Sequence, residues 1–132
     1  MNKNIKTHAF LTLTFIALFL FACSSTPKEI EEDLTPAEYF QRASKALTER
    51  GDYKTALLYY RTFLERFPDD EENGVKAEYE IAFINYKMGN HEKAKELFEN
   101  LLEKYKREDA DRLPRWPEVL AKKLLSVVEQ KG

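Results

Sequence analysis

The sequence predicts an all-α fold: two antiparallel helical hairpins, stacked on one another and closed by a fifth helix. Three observations carry that expectation. Apolar residues recur at three- and four-residue intervals from Pro36 towards the C-terminus, the spacing that gathers them on one face of a helix. Two glycine-centred breaks, Arg50-Gly51-Asp52 and Met88-Gly89-Asn90, stand 38 residues apart and divide the pattern into two in-phase units. The composition, 33% charged with 4 glycines and 5 prolines, suits solvated helices better than sheets.

The chain has 132 residues, enough for one folded domain. Its first charges are Lys3 and Lys6, followed by an apolar run from Ala9 to Ala22 that only Thr12 and Thr14 interrupt. A stable membrane-crossing helix needs roughly 20 apolar residues, and this run is shorter. A basic start and a short apolar stretch describe a secretory signal peptide over residues 1–22; an uncleaved anchor is the alternative. The run ends in Leu20-Phe21-Ala22-Cys23-Ser24-Ser25, and Cys23 is the single cysteine, so no disulfide partner exists within the chain. This junction resembles the lipobox of bacterial lipoprotein precursors. The resemblance implies a diacylglycerol thioether on Cys23, cleavage before it, and acylation of the freed amine, typically with palmitate. Residues 23–34, with four acids between Lys28 and Asp33, read as a lipidated flexible tether.

Residues 35–70 form the first hairpin. Thr35-Pro36-Ala37-Glu38 is a capping-box start, after which Tyr39, Phe40, Ala43, Ala46 and Leu47 follow helical spacing. Asp52 is placed to cap the second helix, whose apolar stripe is Ala56, Leu57, Tyr60, Phe63, Leu64 and Phe67 before Pro68 stops it. Residues 71–107 repeat the plan. A third helix is expected from near Val75, with Glu71–Gly74 as an insertion in the preceding loop, and carries Ala77, Ile81, Ala82, Ile84 and Tyr86. Asn90 is expected to cap the fourth helix, with Ala94, Leu97, Phe98, Leu101, Leu102 and Tyr105 on its stripe. Residues 108–132 hold a polar loop and a capping helix, whose inner stripe is expected at Leu120, Leu124, Val127 and Val128 beside Ala121. Trp116 is its anchor, or alternatively a partner-binding residue.

Unit one reads Phe40-x₂-Ala43-Ser44-x₂-Leu47, then Ala56-x₃-Tyr60, then Pro68; unit two reads Ile81-Ala82, then Ala94-x₃-Phe98. This resembles the tetratricopeptide repeat, with its small residues at helix crossings and an aromatic four residues after an alanine. The resemblance implies a short right-handed α-solenoid. The phrases Ala77-Glu78-Tyr79-Glu80-Ile81-Ala82 and Phe98-Glu99-Asn100-Leu101-Leu102-Glu103-Lys104-Tyr105 resemble one subgroup. It contains the tetratricopeptide lipoprotein of the outer-membrane β-barrel assembly machinery and the periplasmic partners of the Tol system. What it implies is an adaptor or scaffold in the bacterial envelope, anchored in a membrane and facing the periplasm. A homo-oligomeric structural subunit and a ligand-binding transporter accessory remain as alternatives.

The same resemblance places groove-lining positions at Gln41, Lys45 and Thr48 in unit one, and at Lys76, Tyr79, Phe83, Tyr86 and Lys87 in unit two. Tyr79, Phe83 and Tyr86 share one helix face by their spacing. That face either grips a peptide or helix of a partner or lies under the final helix as core.

Other chemistries find little support. Acidic and basic residues number 23 and 21 and are interspersed, without the basic stripe a nucleic-acid binder needs. Asp69-x-Glu71-x-Asn73-Gly74-x₅-Glu80 approaches the spacing of an EF-hand calcium loop, but Lys76 holds its eighth position and the acids read as a solvated loop. His91 is the one histidine after the signal segment, and Ser24, Ser25, Ser44 and Ser126 have no base in any recognisable pattern. No catalytic residue and no cofactor are expected.

Overall fold

The computed structural model describes residues 30–130. The assignments of a signal peptide to residues 1–22 and of a lipid to Cys23 lie outside the described residues. Five helices follow in order: α1 (Pro36–Arg50), α2 (Tyr53–Arg66), α3 (Glu71–Lys87), α4 (His91–Lys104) and α5 (Arg115–Glu129), with a 3₁₀ turn at Ala110–Arg112. Each helix packs on its successor, and α5 returns to touch α3 as well as α4. The fold is a short helical solenoid.

Local chemistry explains the helix ends. Thr35 Oγ1 accepts from the Glu38 amide, while Glu38 Oε2 accepts from the Thr35 amide at 2.8 Å, a complete capping box. The Thr35 amide and the Thr35 hydroxyl, which donates to Glu38 Oε2 at 2.7 Å, hold the Glu38 carboxyl below the ordinary carboxylate range. Asp52 Oδ1 accepts from the Thr55 amide at 3.0 Å and starts α2. Gly51 (φ 60°) and Gly89 (φ 81°) supply the left-handed turns between paired helices. A Cβ on Gly89 would meet nothing within 4 Å, so Gly89→Ala should cost about 1 kcal/mol through backbone strain alone. A chemical denaturation midpoint unchanged by this substitution would contradict that account.

Two clusters make the core. The first joins Tyr39, Ala43, Ala46, Ala56, Tyr60 and Phe63 of hairpin one to Ala77, Ile81 and Ile84 of α3. The second joins Val75, Tyr79 and Ala82 of α3 to Ala94, Phe98 and Leu101 of α4 and Ala121 of α5. Helix α3 therefore contributes one face to each. Alanines at the crossings let helix axes approach, and rings fill the remaining space: Phe40 meets Tyr60 edge-on at 5.3 Å.

Four local expectations are corrected. Helix α3 begins at Glu71, a turn before Val75, because Asp70 caps it by accepting from the Asn73 amide at 3.1 Å. Glu71 and Glu72 then favour the positive end of the helix dipole, so the supposed loop insertion extends the helix. Asn90 does not cap α4 with its side chain; that amide turns back to Asn85 Oδ1. Residues 30–34 are docked, not free: Leu34 is buried and Ile30 packs against the first cluster. Finally, the inner seam of α5 is Pro117, Ala121 and Val128, whereas Leu120 stays 39% exposed. A small residue at the α4 crossing brings the helices close, and the bulkier Leu120 is turned aside.

A candidate groove between α3 and α5

The sequence-predicted groove residues fall into distinct settings. On α1, Gln41, Lys45 and Thr48 are all exposed, and Lys45 lies 4.0 Å from Glu49. On α3, Lys76 is half-buried and donates to Glu72 at 2.8 Å and to Asn73 at 3.2 Å. Lys87 is exposed. The three rings do share a face: Tyr79 and Phe83 stack with centroids 6.1 Å apart, and Phe83 and Tyr86 with centroids 6.5 Å apart.

Their exposure is graded along the helix. Tyr79 is 6% exposed, wedged between Phe98 at 6.0 Å and the edge of Trp116 at 5.1 Å. It is a core residue, which corrects its place among the groove candidates. The physical reason is the start of α5, which crosses α3 at this level. Phe83 and Tyr86 are half-buried and keep an accessible side. The final helix thus covers one end of the aromatic face and borders the rest.

Helix α5 adds Leu120, expected in the core, and Trp116, expected as an anchor or as a partner-binding residue. Trp116, 40% exposed, and Leu120 follow at i and i+4, with half-buried Val127 further along, while Leu124 packs against the second cluster as its stripe predicts. These residues share one α5 face by helical spacing. The signal was present: Trp116-x₃-Leu120 forms a second apolar line beside the Pro117-x₃-Ala121 line that α4 covers. Beside the seam, Glu118 is buried and takes ion pairs within α5 from Lys122 at 2.7 Å and Arg115 at 3.1 Å. Tyr105 donates to the Pro114 carbonyl at 2.8 Å at the start of α5, and burial pushes its hydroxyl up to about 12.

On α3, Glu80 is half-buried, with no hydrogen bond or ion pair among the described residues. Desolvation raises its pKa. A carboxyl raised in the folded state binds its proton more tightly than in the unfolded chain. Stability therefore falls as pH rises from the ordinary carboxylate range through the raised value. Glu80→Gln is expected to raise the melting temperature at neutral pH, with the gain shrinking as pH drops below that window. Equal gains at pH 4 and pH 7 would refute this.

Chemistry elsewhere is spent on structure. The acids after Pro68 are tied down: Asp70 caps α3, and Glu71 accepts from Arg107 at 3.0 Å and Arg112 at 3.3 Å. The segment with calcium-loop spacing, Asp69 to Glu80, is helical from Glu71 onward. A cleft of about 400 Å³ floored by Leu64, Ile81, Leu97 and Leu101 opens beside α2 and α4. Among the described residues, no helix is long and apolar enough to cross a membrane.

The tetratricopeptide-repeat profile matches this chain twice, over residues 38–70 and 76–107. A relative, an uncharacterized protein of Treponema pallidum (strain Nichols), is 37% identical over 115 residues, which is 86% of this chain. The chain spans 45% of that relative's length. No solved structure matches.

Proposed function

We propose that this chain, which carries two tetratricopeptide repeats, is a lipid-anchored adaptor of the bacterial cell envelope that holds a partner protein on its α3–α5 face. Tetratricopeptide repeats are protein-interaction modules, and the role is binding, not catalysis. The observation that carries the reading is the apolar line of Trp116 and Leu120 beside the accessible sides of Phe83 and Tyr86. Exposed apolar surface of this kind is costly to leave in water and marks interaction sites. The anchor is the Cys23 lipid, argued from Leu20-Phe21-Ala22-Cys23, and the favoured location is the outer membrane, facing the periplasm. A place in outer-membrane protein assembly follows from the subgroup resemblance.

Two measurements test this. Radiolabelled palmitate should enter the wild-type chain and not Cys23→Ser. In-cell photo-crosslinking from position 120 should trap an envelope protein, and Phe83→Ala should reduce that adduct by about tenfold while leaving the helical content intact. An adduct between two copies of this chain would favour the homo-oligomeric subunit instead. No adduct from this face would overturn the adaptor.

A further inference from the structure

The α3–α5 face carries two exposed lysines beside its apolar line, and the acid nearest them on α3, Glu80, is half-buried. Lys123 is exposed on α5, seven residues after Trp116 and three after Leu120, so it shares their face. Lys87 is exposed on α3, four residues after Phe83. Neither ammonium group has an ion-pair partner among the described residues. Most other cations are engaged: Lys76 with Glu72, Lys93 with Glu96, Lys104 with Glu78 and Lys122 with Glu118. Lys54 and Lys95 are also unpaired among the described residues, but neither lies on this face, where two lysines flank an apolar line in a chain whose net charge is −2.

We infer that this face receives an acidic amphipathic helix from a second protein, with its apolar residues on Trp116 and Leu120 and its carboxylates at Lys87 and Lys123. The inference rests on the adaptor reading and adds the shape and charge of the partner. Helices α3 and α5 lie side by side, and the partner shape that lays one apolar stripe along such a pair is a helix. From Trp116 to Val127 the α5 line runs about 16 Å, which a partner helix of about three turns would match. Lysines at the rim steer an acidic partner and reject a basic one.

A second copy of this chain fits less well. Its exposed acidic stripe, Glu92, Glu96, Glu99 and Glu103 on α4, offers carboxylates. Among the described residues, the large exposed apolar ones are Met88, Trp116, Val119 and Leu120, none of them on α4. That stripe would bring charge without an apolar half. The chain's own acidic segment at 31–33 is likewise committed, because its neighbours Ile30 and Leu34 pack on hairpin one.

The test uses the full lipidated chain in phosphatidylcholine vesicles and the emission of Trp116, the one tryptophan present. The probes are two tryptophan-free helical peptides with the same leucine stripe, one with glutamates and one with lysines on its flanks. The glutamate peptide should shift Trp116 emission to the blue and saturate, binding about tenfold tighter than the lysine peptide. The double variant K87E/K123E should reverse that order, with circular dichroism confirming its fold. Equal binding of both peptides, or an unchanged order in the double variant, would sink the charge inference while leaving the groove intact. If neither peptide moves the emission and Leu120→Asp changes nothing, the groove reading falls with it. Vesicle-bound dimers without peptide would overturn the proposal in favour of a second copy.

Discussion

Phe98→Ala is expected to destabilise the domain by about 3–5 kcal/mol, a large part of the roughly 5–15 kcal/mol that holds a small domain together. The ring is fully buried, sits 6.0 Å from Tyr79, and shares its cluster with Val75, Ala82, Leu101 and Ala121. Three helices meet around it, so truncation leaves a cavity that none of them can close alone. Its effect should not remain local. Because α3 gives Ala77, Ile81 and Ile84 to the first cluster and Val75, Tyr79 and Ala82 to the second, losing one cluster strips cover from the other. Urea denaturation followed by circular dichroism should therefore show one cooperative transition at a much lower midpoint. Two resolved transitions, with hairpin one melting at its wild-type midpoint, would show that α3 does not couple the clusters.

Arg66→Ala should cost about 2 kcal/mol, although its side chain lies at the surface. Its guanidinium donates to the Glu31 and Glu32 carbonyls and to the Tyr39 hydroxyl, and it lies 5.9 Å from the centre of the Tyr39 ring. Tyr39 is fully buried, so removal of the guanidinium strands a buried hydroxyl, a loss of about 1–3 kcal/mol. The carbonyl bonds add the rest by freeing residues 30–34. Thermal denaturation reads the total. A cycle with Tyr39→Phe separates the parts, since the cost of Arg66→Ala should shrink when the hydroxyl is already gone. If the cost is the same in both backgrounds, the Tyr39 bond contributes nothing and the account fails. Limited proteolysis should also cut near Glu31 faster in the variant.

That clasp shows where reading the sequence runs out. Residues 23–34 have the composition of a tether, and composition alone cannot reveal that Ile30 and Leu34 find a hydrophobic seat or that Arg66, 35 positions away from Glu31, will hold their backbone. The same holds at the other end of the chain. The spacing of α5 offers two apolar lines, Trp116-x₃-Leu120 and Pro117-x₃-Ala121, rotated from each other by one residue. Periodicity reports both and ranks neither, because the choice is made by α4.

What the sequence determined by itself is most of what is local: five helices, turns at Gly51 and Gly89 that need left-handed backbone, the Thr35 and Asp52 caps, and two in-phase units with alanines at the crossings, with the Asp70 cap of α3 and the turned-back Asn90 amide as exceptions. These follow from short-range sterics and hydrogen bonds that each segment satisfies with its own residues. Tertiary structure decided what depends on a neighbour. It buried Tyr79 under Trp116, left Phe83 and Tyr86 partly open, turned Leu120 outward, and docked residues 30–34. The physical reason is that burial belongs to pairs of surfaces: α4 accepts the face of α5 that can approach most closely, through Ala121, and the face it declines stays at the surface.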